Sequence, residues 1–234
     1  MKSFIALVVA AGTGCFAGTI VVPNTPQGNT SHDFASGIRV QQVYASSAFP
    51  AGAMTISSLA FRSALGQSST SQNLTDFFMQ MAVTLNNPDG LSTAYTNNLG
   101  SNLQTVYTGA ITLSSGGCAS LPCPFDMAIA LQSPYVYNPA SGNLVVDFRA
   151  TGSFSTTFID SQTTSGDSVS FIFGPQVNAT GLASTEGLIT QFTTGSQAGV
   201  PEPGAGVLSA TGLILVLALR LRTRLLRRAM RRML

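Results

Sequence analysis

The chain has 234 residues, 44% hydrophobic and only 9% charged, with 23 glycines, one histidine, three cysteines and no tryptophan. That length is enough for one substantial core. The formal net charge of +2 hides a division: Lys2 and seven arginines beyond residue 219 hold most of the positive charge, whereas residues 19–199 carry three arginines against eight acids, a net of −5. An acidic body without a basic patch argues against nucleic acid as a partner.

The chain opens with Met1-Lys2 and the apolar run Phe4-Ile5-Ala6-Leu7-Val8-Val9-Ala10-Ala11. One positive charge, a short apolar helix and the small residues of Cys15-Phe16-Ala17 predict an export signal over residues 1–18, cut by signal peptidase after Ala17 or Gly18. A lipidated Cys15 is disfavoured, because Gly12 stands where a Leu-like residue is expected. His32, beside Asp33 in the Gly/Asn/Ser-rich stretch 28–36, reads as a solvated loop residue without the oriented partner that a catalytic base needs.

Period-two alternation dominates residues 19–195 and predicts strands of an antiparallel sheet with one wet face. In chain order the candidates are Ile38–Tyr44, Met54–Arg62, the apolar face Phe77, Met79, Met81, Val83 and Leu85, then Thr105–Leu113. Next come Phe125–Leu131, Leu144–Arg149, Phe154–Phe158, Ser168–Phe173 and Leu188–Thr193. Turn chemistry separates them at Asn86-Asn87-Pro88-Asp89-Gly90, Asn138–Asn143 and Thr164–Asp167. No interior stretch keeps a helical period, and no fixed-period repeat suggests a solenoid. The expected fold is all-β, an antiparallel two-sheet sandwich of jelly-roll type.

Between the fourth and fifth of these candidates lie Cys118 and Cys123, flanked by Gly and Pro. In an exported chain this even pair predicts a small structural disulfide. A metal site would need further soft ligands, and no cofactor motif is present. Asp126 and Asp147 would project from the polar sides of their strands. Held about 5–9 Å apart, such carboxylates support glycoside hydrolysis, but the pattern reads as ordinary outward-facing residues. Asp89, Asp160 and Asp167 offer loop oxygens for calcium without an EF-hand spacing. Tyr95, Tyr107, Tyr135 and Tyr137 are candidates for an exposed sugar platform. Paired threonines lack the regularity of a lattice-matching surface, and no Gly-x-Ser-x-Gly elbow appears.

The end of the chain is the strongest signal. Val200-Pro201-Glu202-Pro203 falls in a polar linker spanning 196–204. The uncharged run Ala205–Leu219 follows; it is about 22 Å long as a helix and about 27 Å with its flanks. It is short against a bilayer core of about 30 Å, a mismatch that thinning and snorkelling absorb. A transmembrane helix is therefore expected at 205–221. The block Arg220, Arg222, Arg224, Arg227, Arg228, Arg231 and Arg232 stops transfer and keeps the tail, residues 222–234, in the cytoplasm.

These residues resemble the PEP-CTERM sorting signal of Gram-negative bacteria, also known as the ice-binding protein C-terminal domain. The matching features are Val200-Pro201-Glu202-Pro203, the apolar span and the arginine cluster at the chain end, so the resemblance covers residues 200–234 alone. It implies that an exosortase-type membrane transpeptidase cuts near the motif and delivers the body to the envelope or extracellular matrix. The four motif residues would be recognition elements for that enzyme. More loosely, Pro134–Asp147 resembles a hairpin of secreted bacterial jelly-roll domains. Gln41-Gln42-Val43-Tyr44 and Pro88-Asp89-Gly90-Leu91-Ser92 are similar to stretches of exported proteins with the same sorting signal. No activity comes with either resemblance.

The expectation is therefore a non-catalytic exported protein, anchored in the inner membrane before processing and structural or surface-interacting afterwards, with exopolysaccharide as a candidate partner. The alternatives are a carbohydrate-binding module, with or without calcium, and a glycoside-active enzyme using Asp126 and Asp147.

Overall fold

A computed structural model describes residues 17–33, 37–100, 102–153 and 158–196. The protein is all-β with antiparallel sheets, as the alternation predicts. The strands are β1 (Ala17–Val22), β2 (Thr30–Asp33), β3 (Ile38–Tyr44), β4 (Met54–Phe61), β5 (Thr70–Thr84), β6 (Gln104–Ser115), β7 (Met127–Tyr137), β8 (Asn143–Ser153), β9 (Phe158–Thr163), β10 (Val169–Pro175), β11 (Leu182–Ser184), β12 (Glu186–Leu188) and β13 (Thr190–Ser196). Among the described residues there is no α-helix, only short 3-10 turns at Ser46–Ala48, Tyr95–Asn98 and Pro139–Ser141. Of the Phe154–Phe158 candidate, residues 154–157 lie outside the described residues.

A four-stranded sheet in the order β1-β13-β4-β7 faces a six-stranded sheet, β11-β10-β3-β8-β5-β6, and a third sheet, β12-β9-β2, is added to the two expected. Alternate side chains of the two large sheets build one core. Phe77, Met79 and Met81 of β5 and Phe148 of β8 belong to the same cluster as Ile56, Leu59, Met127, Ile129 and Phe192. Aromatic rings meet edge to face within it: Tyr44 and Phe192 have centroids 4.9 Å apart, Phe49 and Tyr137 5.0 Å apart, the geometry that ring quadrupoles favour. Leu85 does not share the face of Phe77, Met79 and Met81. The strand ends at Thr84, and Leu85 stands 87% exposed.

The chain crosses repeatedly between the sheets. Pro134–Asp147 is therefore not a hairpin: β7 lies in the four-stranded sheet and β8 in the six-stranded one. The crossing is tightened by local bonds. Asn138 Oδ1 accepts from the Ala140 amide at 3.1 Å, and Tyr137 Oη donates to the Gly142 carbonyl at 2.9 Å. Gly142 has φ 135°, and a Cβ there would come within 2.7 Å of the Thr84 carbonyl oxygen, so the corner demands glycine.

Residues 85–99 then fold as a strap over the outer side of the six-stranded sheet, where Leu91 and Tyr95 bury Val43 and Ile172 in a second apolar cluster. The strap is held along its length: the Tyr95 amide donates to the Ala179 carbonyl at 3.2 Å and the Gly181 amide to Thr93 at 2.9 Å. Beneath it β8 is buried on both faces, which is why Val145 and Asp147 are as inaccessible as Val146 and Phe148.

The ends of the body lie together. Ala17 and Gly18, the residues at the predicted cleavage position, pair with Gly195 and Thr194, so the chain enters β1 and leaves β13 at one end of the sheet.

Gln42 fills a position between the sheets that hydrophobic pattern would assign to an aliphatic residue. Its amide donates to the Leu188 carbonyl and accepts from the Leu188 amide, each at 2.8 Å. Gln42→Leu would strand the Leu188 amide in the dry interior, while the carbonyl keeps the bond from Thr190 Oγ1 at 3.0 Å, and urea denaturation is expected to show a loss of about 1–3 kcal/mol.

Candidate functional site

Most polar groups singled out in the sequence are occupied in structural roles. Asp147 is not an outward-facing residue. It is 2% exposed, accepts from Arg39 Nε at 2.9 Å and from Nη2 in a fork, and also from Gln41 Nε2 at 3.1 Å. The overturning cause is the strap: Tyr95 lies over the Arg39 guanidinium, 4.3 Å from ring centroid to Cζ, and its Oη donates to the Arg39 carbonyl. Asn98 completes the cluster by donating to Gln41 Oε1 at 3.0 Å. Asp126 is exposed, sits just before β7 on the other sheet, and accepts from the Gly116 amide at 2.7 Å. The two carboxylates are not brought together as a catalytic pair.

Asp160 is likewise buried, paired with Arg62 Nε at 2.8 Å and accepting from the Gly28 amide. It is not grouped with Asp89 and Asp167. Those two do share a corner. Asp89 accepts from the Gly166 amide at 2.7 Å, Asp167 from the Val169 amide at 2.8 Å. Burial raises the Asp167 pKa against the pull of the Val169 amide, and the Asp89 charge raises it further. Among the described residues no three His, Cys, Asp or Glu side chains converge on a metal position.

The candidate tyrosines form no exposed platform: Tyr95, Tyr135 and Tyr137 are buried, with burial pushing the Tyr135 phenol up to about 12, and Tyr107 is half-buried against Phe77. Cys118 and Cys123 form the disulfide, with Cα atoms 5.2 Å apart. Their loop is docked on residues 64–68 by the pairs Gly66 amide to Cys118 carbonyl and Cys118 amide to Gln67 carbonyl.

His32 is a strand residue. It sits half-buried on β2, packs edge-on against Phe171 at 4.8 Å and Phe173 at 5.4 Å, and places Nδ1 3.5 Å from Glu186 Oε2. Ser161 donates to the other Glu186 oxygen at 2.7 Å. The serine meets the carboxylate and not the imidazole, so no nucleophile–base pair is formed.

One arrangement was not foreseen. Arg149 on β8 lies directly across from Arg39 on β3 and from Phe78 on β5, and Phe78 lies across from Thr108 on β6. The Arg149 guanidinium is stacked on the Phe78 ring, 4.3 Å from its centroid. Among the described residues it has no ion-pair partner, whereas Arg39 and Arg62 are each bound to an aspartate. Arg149 was visible in the sequence as one of three body arginines. Its opposition to Arg39 depends on strand order, which alternation does not encode.

The sorting residues Val200, Pro201, Glu202 and Pro203, the span 205–221 and the arginines from Arg220 to Arg232 lie outside the described residues, as do residues 1–16 of the export signal. Among the described residues no helix is long and apolar enough to cross a membrane. No family model, curated protein or solved structure matches the chain.

The Glu186 carboxyl has its pKa raised by burial but lowered more by the His32 and Ser161 hydrogen bonds and the His32 charge, leaving it below 4.5. A carboxylate depressed on folding adds stability that is complete above its unfolded pKa and disappears as pH falls through the folded value. Glu186→Gln is therefore expected to lower the melting temperature at pH 7 and to narrow its gap from the wild type as thermal scans move below pH 4.

Proposed function

We propose that the chain is an exported, non-catalytic surface-interaction protein, delivered through residues 200–234 to the envelope or extracellular matrix. The observation that carries this reading is the pairing of Ala17 with Gly195. Both terminal segments spring from one end of the body. A body outside the membrane can therefore remain folded while the signal and the C-terminal span are both inserted, each with its basic end in the cytoplasm. Signal peptidase would act at the start of β1, and an exosortase-type enzyme would act a few residues past Ser196. Cleavage after Gly18 would leave Thr19–Val22 to pair with β13.

A disulfide in the body supports an oxidising destination. The succession of sheet crossings supports a sandwich of jelly-roll type. The glycoside-enzyme alternative loses its residues, because Asp147 is neutralised by Arg39 and Asp126 sits on the other sheet. The sugar-binding alternative loses the buried tyrosines as its platform, leaving the Phe78–Arg149 face.

Fractionation in a bacterial host without the processing enzyme tests the reading. The full chain is expected in the membrane fraction, and a chain ending at Gly199 in the soluble exported fraction. Identical distributions of the two would overturn it.

A further inference from the structure

We propose that the open outer face of β6, β5 and β8 binds an acidic polysaccharide, with the Phe78-stacked Arg149 guanidinium clamping a uronate carboxylate. The proposal rests on the export reading, which brings this face to extracellular polymers.

The charge arrangement points to an anion. Two arginines directly opposite across a strand pair repel, and Arg39 is already claimed by Asp147. The charge of Arg149 is left without an answer from the described residues. A guanidinium held over an aromatic ring has lost part of its freedom before any ligand arrives, and its fork matches a carboxylate. The strap reaches this rung only on its Arg39 side, where Tyr95 lies over the guanidinium; Arg149, on the far side, has the Phe78 ring instead.

The surroundings select a saccharide. Beyond Phe78 the face carries short polar side chains paired across the strands. Thr112 Oγ1 donates to Asn73 Oδ1 at 2.8 Å, and Ser71 and Ser114 share a hydrogen bond at 3.2 Å. Hydroxyls and amides at strand spacing, about 4.8 Å, can exchange these bonds for sugar hydroxyls without leaving a group unpaired. Among the described residues none of the large exposed apolar side chains lies on this face, which removes the anchors that a protein partner uses. A body of net −5 with one unpaired cation suits a sparsely charged polymer and repels a densely charged nucleic acid. Asp76, exposed and paired in register with Thr151 two rungs away, sets a like charge near the incoming carboxylate.

The full chain in detergent micelles is titrated by calorimetry with tetragalacturonate, its methyl ester and a tetraglutamate peptide. Binding of tetragalacturonate alone is expected. Arg149→Gln should weaken it tenfold or more, the range of a charge-assisted fork, Arg149→Lys should fall between, and Asp76→Asn should tighten it about threefold. A chain with its seven tail arginines changed to Gln separates the tail's polyanion affinity and should keep the Arg149 effect. Thermal melting checks that each variant is folded, and Asp76→Asn tests the site by a gain should Arg149→Gln unfold. Equal binding by wild type and Arg149→Gln, equal binding of the ester, or equal binding of the peptide would each overturn the proposal. Because the assay takes place in micelles, its failure leaves the export reading standing, and failed fractionation leaves the binding result intact.

Discussion

A strand covered on both faces must satisfy every polar group it carries without water, and the parts of β3 and β8 beneath the strap are in that position. One face meets the core shared with the four-stranded sheet, the other the strap of residues 85–99. The two adjacent glutamines of β3 show the solution. Gln42 points inward and closes a two-bond ring with Leu188; Gln41 points outward and joins Tyr95, Asn98 and Asp147. Their opposite directions follow from the period of two, so one dipeptide ties the sheet to both of its coverings.

The same constraint explains the disposition of charge. Buried carboxylates need partners, and Asp147 and Asp160 each have an arginine whose guanidinium carbon also sits over a ring, Tyr95 in one case and Phe125 in the other. Such pairs are weak sources of stability but strong constraints on arrangement, because removing either member leaves an uncompensated charge. The third arginine has the ring, Phe78, without the acid. That difference separates two structural assemblies from a candidate binding position.

Alternation in the sequence located β3, β4, β6 and β10 closely and the first parts of β7 and β8, because each carries apolar residues at every second place against a polar or small background; it stopped short of the ends of β7 at Tyr137 and β8 at Ser153. It under-read β5, whose first half presents Ser71, Asn73 and Thr75 on the open face and leaves only Leu74 as a conspicuous apolar residue. It also passed over β1, since Ala17–Val22 continues the small and apolar character of the export signal. The strap was invisible for a different reason. Leu91 and Tyr95 are isolated apolar residues in a stretch rich in Asn and Thr, and nothing local says that they cover a sheet. That omission turned Asp147 and Tyr95 from buried residues into surface ones, whereas Tyr135 and Tyr137 of β7 are buried in the main core. The cysteine pair was legible because its partners are close in the chain. The Arg39–Arg149 opposition was not, because 110 positions of sequence separate residues that only strand order brings together.

The place where the chain leaves the body has a mechanical meaning. β13 is flanked by β1 on one side and β4 on the other, with its final residue opposite Met54. A tug on Ser196 along the strand, with the rest of the domain held fast, would shear both rows of hydrogen bonds at once, since every rung resists the same displacement. Pulling Ala17 away from Ser196 would instead open the rungs of β1 singly, like a zip. One β-strand therefore makes a strong tether, and its neighbour makes a detachable one.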